Sequence, residues 1–135
     1  MILVDTNILL DLATDNSEWF EWSLEAIETA AAEGPLLINV VVYAELSARY
    51  HQARDVDELL AASGVQVADI PRSAAFLAAN AFGEYRAAGG AKTGVLSDFF
   101  IGAHATALDI PLLTRDIRRY RTYFPELRLI APQLN

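Results

Sequence analysis

Four acidic residues stand where a carboxylate could do chemistry: Asp5, Glu45, Asp98 and Asp116. Asp5 directly follows the apolar run Ile2 to Val4, and Asp116 ends the segment Leu113-Thr114-Arg115-Asp116 after a second apolar run. Both are expected at the carboxyl ends of strands, the edge at which open α/β sheets bind ligands. On a helical projection Glu45 falls inside an apolar arc made by Val41, Val42, Leu46 and Ala48. A carboxylate in such a place is costly unless it is paired or bound to metal. Asp98 shares a stripe with Ile101, Ala105 and Leu108 and so extends the core-facing side of its helix. Each acid also has a plain structural alternative. Asp5, Asp98 and Asp116 could cap a turn or a helix, and Glu45 could be ion-paired or simply solvated.

Agreement among the four favours chemistry over capping. A parallel sheet gathers the ends of separated strands at one edge, and two of the acids follow strands while the other two begin or line helices beside them. Four carboxylates within a few ångströms carry about four negative charges, a repulsion that folding avoids unless cations offset it. One divalent ion would leave about −2 and two would leave about zero. The donors are all oxygen, with no cysteine and no well-placed histidine pair, which suits Mg²⁺ or Mn²⁺ rather than zinc. His51 and His104 are expected on the surface or at a helix edge. A hard cation held by carboxylates activates water and polarises a phosphoryl oxygen, which is the equipment for hydrolysing a phosphodiester.

The elements that must position these acids are read from apolar runs of strand length alternating with helical patterns. Strands are expected at Ile2 to Val4, Leu36 to Val40, Val65 to Ala68, Pro111 to Leu113 and Leu127 to Ile130. Alternation of this kind predicts an α/β fold with a central, mostly parallel sheet flanked by helices. A first helix is expected after Asp15-Asn16-Ser17-Glu18, whose ends have capping-box spacing, with Phe20, Leu24, Ile27 and Ala31 as its buried stripe. Further helices are expected from about Val41 to Arg54, Val56 to Ala62, Arg72 to Ala88 and Ser97 to Leu108. Gly102 lies on the inner side of the last and would admit a close backbone approach. No repeat or linker divides the chain, so residues 1–135 are expected to form a single domain.

Composition narrows the class. At 135 residues the chain is long enough for one real core, and no apolar stretch reaches the roughly 18 to 20 residues of a membrane span. The N-terminal run reads as a strand rather than a secretory leader. The absence of cysteine fits a reducing compartment, so a cytoplasmic location is expected. A formal net charge of −8 argues against a broad basic surface for nucleic acid. A local one exists, because Arg115, Arg118, Arg119, Arg121 and Arg128 supply five of the ten basic residues. Arg115, Arg118 and Arg119 are expected to guide a nucleic-acid backbone toward the acids, and Lys92 could reach a phosphate. The alternative for the cluster is a solvated helix face. Trp19, Phe20 and Trp22 place three large aromatics in four residues. At least one of them should be exposed, which makes Trp19 and Trp22 candidate anchors for a partner.

Four short motifs occur in order: Leu3-Val4-Asp5-Thr6-Asn7, Val42-Tyr43-Ala44-Glu45-Leu46, Leu96-Ser97-Asp98 running on to Ala105, and Leu113-Thr114-Arg115-Asp116. Together, over the whole chain, they resemble a PIN domain of the VapC toxin type. The resemblance implies that Asp5, Glu45, Asp98 and Asp116 bind Mg²⁺ or Mn²⁺, with Asn7 and Thr114 as polar groups beside them. It further implies endoribonuclease cleavage of RNA, inhibition of translation, homodimerisation and neutralisation by a small VapB-type antitoxin. Ser97, where many relatives carry other residues, puts nothing essential in doubt.

Other readings account for less. A phosphotransferase of the haloacid dehalogenase type needs a second aspartate where Asn7 stands, and the residue set of a receiver domain has no place here. Gly89-Gly90-Ala91-Lys92-Thr93-Gly94 mimics the end of a P-loop, but Ala91 replaces the required glycine and the segment follows a helix. The non-enzymatic alternative is an inactive PIN-like module that binds RNA or protein.

Overall fold

The computed structural model describes residues 1–15, 18–91 and 94–133. Five short strands, β1 (Ile2–Val4), β2 (Leu36–Asn39), β3 (Val65–Ala68), β4 (Leu112–Leu113) and β5 (Leu129–Ile130), form one sheet in the order β3-β2-β1-β4-β5. All four pairings are parallel, with Leu3 opposite Leu37 on one side and Leu112 on the other. The central strands β1, β2 and β4 are buried along their whole length. This is why they read as unbroken apolar runs instead of alternating ones.

Among the described residues, seven helices flank the sheet: α1 (Thr6–Ala13), α2 (Phe20–Glu33), α3 (Val40–Ser47), α4 (Ala53–Ser63), α5 (Arg72–Ala87), α6 (Leu96–Leu108) and α7 (Arg118–Tyr123). From β1 the chain steps outward to β2 and β3, then crosses back to β4 on the far side of β1. That reversal opens a crevice outside the carboxyl ends of β1 and β4, the position where such sheets bind ligands. None of these helices is long and apolar enough to cross a membrane.

Several expectations are corrected. Helix α1 was not foreseen: it follows Asp5 at once and buries Ile8 and Leu9. Helix α2 begins at Phe20 with Trp19 in the cap position, and Asp15 has a positive φ, so the helix does not start from Asp15. The buried face of α2 is Ser23, Ile27 and Ala30, while Leu24 and Ala31 are exposed. Val40 belongs to α3 rather than to β2, because Asn39 ends the strand and its Oδ1 accepts the N–H groups of Val41 and Val42, both at 3.0 Å. This cap overrides the β preference of three consecutive valines. The helix expected from Val41 to Arg54 stops at Ser47, and α4 restarts at Ala53 to end at Gly64 in the left-handed conformation. On α6, Leu108 is exposed, so the stripe of that helix ends at Ala105.

Gly102 does permit a close approach, but by aromatic rings instead of backbone. A Cβ there would lie 2.6 Å from the Phe124 ring and 3.0 Å from that of Tyr120, and both residues are buried. Rigid rings in a packed core cannot swing aside as a flexible chain end would. Gly102→Val is therefore expected to lower unfolding stability by about 2 kcal/mol or more in urea titration. A stability equal to wild type would show that the α6–α7 contact is loose.

Candidate active site

Asp5 sits where β1 turns into α1 and is nearly fully buried, at 4% exposure. Its Oδ1 accepts the Thr6 N–H at 2.7 Å, capping α1. Its Oδ2 accepts the hydroxyls of Thr114 at 2.7 Å and Tyr120 at 2.9 Å, with the Asn7 amide at 3.4 Å. Capping and site chemistry are thus one arrangement here. Burial pushes the Asp5 carboxyl up from 3.8 to about 6, and the charge of Asp98 adds to the shift. The bonds from Thr114, Tyr120 and Thr6 resist it without cancelling it.

The other three acids arrive from three further segments. Glu45 projects from α3 and is exposed rather than sunk in an apolar arc, because the buried side of that helix is Val42 and Leu46. Its Oε1 accepts the Thr6 hydroxyl at 2.6 Å and its Oε2 the Ser97 hydroxyl at 3.2 Å. Asp98, in the first turn of α6, is half-buried and ion-paired with Arg119 from α7. Burial raises its carboxyl above the ordinary range, and the charges of Glu45 and Asp116 add to that while Arg119 opposes it. Asp116 is exposed, and its Oδ1 accepts the Arg118 N–H at 3.3 Å.

All four acids line one cavity of about 190 Å³, together with Thr6, Asn7, Leu10 and Tyr120. Behind it Thr114 accepts N–H bonds from Asp116 at 3.0 Å and Asn7 at 3.3 Å, so Asn7 and Thr114 do stand beside the acids. Tyr120 is a site residue that sequence reasoning missed. Its spacing from Asp116, one turn into the arginine-rich stretch, was the available signal. Burial pushes its hydroxyl well above the ordinary range, with the charges of Asp5 and Asp98 next, so it stays a proton donor. Thr6 and Ser97, which hold Glu45, were likewise not singled out.

Each carboxylate is turned onto a protein donor. Among the described residues no group of three acids or histidines is arranged to hold a metal as it stands. The donor chemistry nevertheless fits a hard divalent ion, since four carboxylates and no sulfur or imidazole donor share one small cavity.

The proposed RNA contacts separate on inspection. Arg115 is committed to buried Asp11, at 2.6 Å from Nε and 2.9 Å from a terminal nitrogen, with its guanidinium 5.0 Å from the Trp19 ring centre. Its charge is spent inside the protein, which revises its expected role. Arg119 is paired with Asp98 and lies 5.6 Å from the centre of the Tyr85 ring. Arg118 is exposed beside Asp116. Lys92 lies outside the described residues. Trp19 and Trp22 pack edge to face at 6.1 Å and both are half-buried, so the expectation of an openly exposed aromatic is corrected. His104 is buried instead of lying at a surface, while His51 is exposed as expected.

A family model for the PIN domain matches residues 2–125. The chain belongs to the PIN domain family. No curated protein sequence matches it. Among solved structures it is similar to VapBC2 from Rickettsia felis, solved with a DNA fragment from its promoter, at 21% identity and TM-score 0.74, covering 98% of this chain and 100% of that one. It is also similar to a toxin–antitoxin complex from Klebsiella pneumoniae, at 23% identity and TM-score 0.63, with 96% of each chain covered. A third is VapC20 of Mycobacterium tuberculosis, described as a toxin cleaving the sarcin–ricin loop, at 18% identity and TM-score 0.60, covering 95% and 99%. At these identities the likeness is one of fold.

The raised Asp5 pKa sets a pH dependence for this PIN domain. The folded state keeps the Asp5 proton longer than the unfolded chain, so the associated stability is complete below about pH 3.8 and is lost as pH rises to about 6. Asn at this position has no proton to lose, and the Thr114 and Tyr120 hydroxyls can rotate to accept its amide hydrogens. Urea titrations in chelator should therefore show wild type losing roughly 2 to 3 kcal/mol more than Asp5→Asn between pH 4 and 7. Identical pH slopes would contradict the buried, proton-holding carboxyl.

Proposed function

We propose that this PIN domain is a VapC-type toxin, a metal-dependent endoribonuclease that hydrolyses RNA phosphodiesters in the cytoplasm, inhibits translation and is neutralised by a VapB-type antitoxin. The observation that carries the reading is the convergence of Asp5, Glu45, Asp98 and Asp116 on one cavity at the carboxyl edge of the sheet. Those four acids would hold Mg²⁺ or Mn²⁺, which when bound supplies an activated water and offsets charge on the phosphoryl oxygen.

The chain's own residues do the rest. Thr114, Tyr120 and the Thr6 N–H fix both oxygens of Asp5, and Thr6 and Ser97 aim Glu45. Arg119 balances the charge of Asp98 and stands at the cavity's edge, where an RNA phosphate would meet it. Arg118, exposed next to Asp116, offers a second cation to the backbone of the substrate.

The partner reading rests on a separate groove of about 500 Å³. It is lined by Trp22, Glu25, Ala26, Thr29, Ala30 and Glu33 along α2 and by Ile130 of β5, which is an edge strand of the sheet. An apolar floor between two glutamates suits a basic amphipathic segment of an antitoxin. Homodimerisation is supported by apolar side chains left exposed at Val40, Val67, Phe76 and Leu96, of which Phe76 is 71% exposed.

Asp98→Asn and Asp116→Asn should each reduce Mg²⁺- or Mn²⁺-dependent cleavage of total RNA at least about a hundredfold while leaving the circular-dichroism spectrum unchanged, as expected for groups that hold the ion. Absence of metal-dependent cleavage by antitoxin-free wild type would instead favour an inactive binding module. For the partner, Trp22→Ala should weaken antitoxin binding in calorimetry by about 2 kcal/mol with RNA cleavage retained. Wild-type affinity in that variant would move the interface away from α2.

A further inference from the structure

Asn39 and His104 make a polar contact in the middle of an apolar layer. Both are buried, Asn39 at 0% and His104 at 1% exposure, and Asn39 Nδ2 lies 3.2 Å from His104 Nδ1. The direction of this hydrogen bond is fixed by chemistry. Asn39 Oδ1 already accepts two backbone N–H groups, from Val41 and Val42, and those donors cannot be reversed. The amide nitrogen therefore faces His104 and donates, and Nδ1 must present its lone pair. The imidazole is then neutral with its proton on Nε2, the form that burial also favours.

Neither residue lines the acid cavity, but each caps or lies on a helix that carries one of its acids. Asn39 caps α3, which bears Glu45, and His104 lies on α6, which bears Asp98. Glu45 is six residues beyond Asn39, and Asp98 is six residues before His104, roughly 9 Å along each helix. The two helices pack together, with Asn39 meeting His104 at one end and Ser97 donating to Glu45 at the other. An apolar contact tolerates sliding, whereas a buried hydrogen bond is satisfied in one alignment only.

We propose that Asn39 and His104 are a positioning pair that locks α3 against α6 and so sets the separation at which Glu45 and Asp98 share one divalent cation. The proposal rests on the nuclease reading above.

The test sets packing against hydrogen bonding. His104→Leu keeps most of the volume and improves helix propensity but removes the acceptor. His104→Asn places an amide oxygen where Nδ1 stood, at the cost of a cavity and a poorer helix former. Mn²⁺ affinity of the full chain is measured by calorimetry, and kcat and KM on RNA by cleavage assay. His104→Leu should bind Mn²⁺ about tenfold more weakly or worse, with kcat reduced and KM for RNA little changed. His104→Asn should stay within about threefold of wild type on both readouts. Asn39→Ser, which keeps a cap for α3 but ends one atom short of the amide nitrogen that meets His104, should match His104→Leu and carries the test if the leucine variant does not fold. Normal Mn²⁺ binding by His104→Leu and Asn39→Ser, or His104→Asn performing worse than His104→Leu, would overturn the proposal while leaving the nuclease reading intact. A wild-type protein that neither binds Mn²⁺ nor cuts RNA would overturn the nuclease reading itself, and the positioning role would fall with it.

Discussion

A carboxylate buried at the end of the central strand of a parallel sheet is the constraint around which the rest of this structure is organised. Asp5 must be withdrawn from water for β1 to pass directly into α1, and a withdrawn carboxylate needs several donors to stay in place. The chain supplies them from three directions: the first turn of α1, the loop after β4, and α7. Because two of those partners come from the last quarter of the sequence, the Asp5 cluster joins the two ends of the fold. The partners do not cancel the cost of burial, and the carboxyl remains raised to about 6. Burial is the main cause of that rise, and the charge of Asp98 adds to it.

The surrounding polar bonds form two layers. At the cavity, Thr6 spans Asp5 and Glu45 with its backbone N–H and its hydroxyl, so two acids are tied through one residue. Further back, Asn7, Thr114 and the Arg115 N–H link the α1 turn to the loop that carries Asp116. Arg115 then anchors that loop to buried Asp11, which also accepts the Ser23 hydroxyl of α2 at 2.7 Å. Among the described residues no buried side-chain polar atom lacks a partner. The benefit of the network is geometric: each bond is satisfied in one arrangement, and the acids inherit that arrangement.

Which parts were legible from the sequence follows from the range over which each signal acts. The strands and their parallel pairing were readable because buried parallel strands write themselves as short apolar runs between helical patterns. The acids at the ends of β1 and β4 were readable for the same reason. Helix α1 was not, since its two turns offer too little periodicity to stand out beside Asp5 and Asn7. The burial of Glu45 was misjudged because the apolar arc was drawn through Val41, Val42, Leu46 and Ala48, whereas packing buries only Val42 and Leu46 of that arc. Tyr120, Asn39 and His104 escaped because their roles are defined by partners 115 and 65 positions away. No local pattern encodes the Asn39–His104 contact, and for Tyr120 only its spacing from Asp116 hinted at one.

The charge distribution bears on how an acidic protein could engage RNA at all. In the arginine-rich C-terminal stretch, Arg115 is committed to Asp11, Arg119 to Asp98, and Arg128 bonds the carbonyl of Asp109. Arg118, exposed two residues after Asp116, has no carboxylate pair among the described residues. Two arginines thus adjoin acids of the cavity, Arg118 through its backbone bond to Asp116 and Arg119 through its pair with Asp98. A chain with a net charge of −8 repels nucleic acid over most of its surface, so contact is concentrated where these arginines lie. Affinity gathered from so few phosphates is small and strongly local. Selection among RNAs must then come from how well a particular backbone shape brings its phosphate to the acids, rather than from the strength of general attraction.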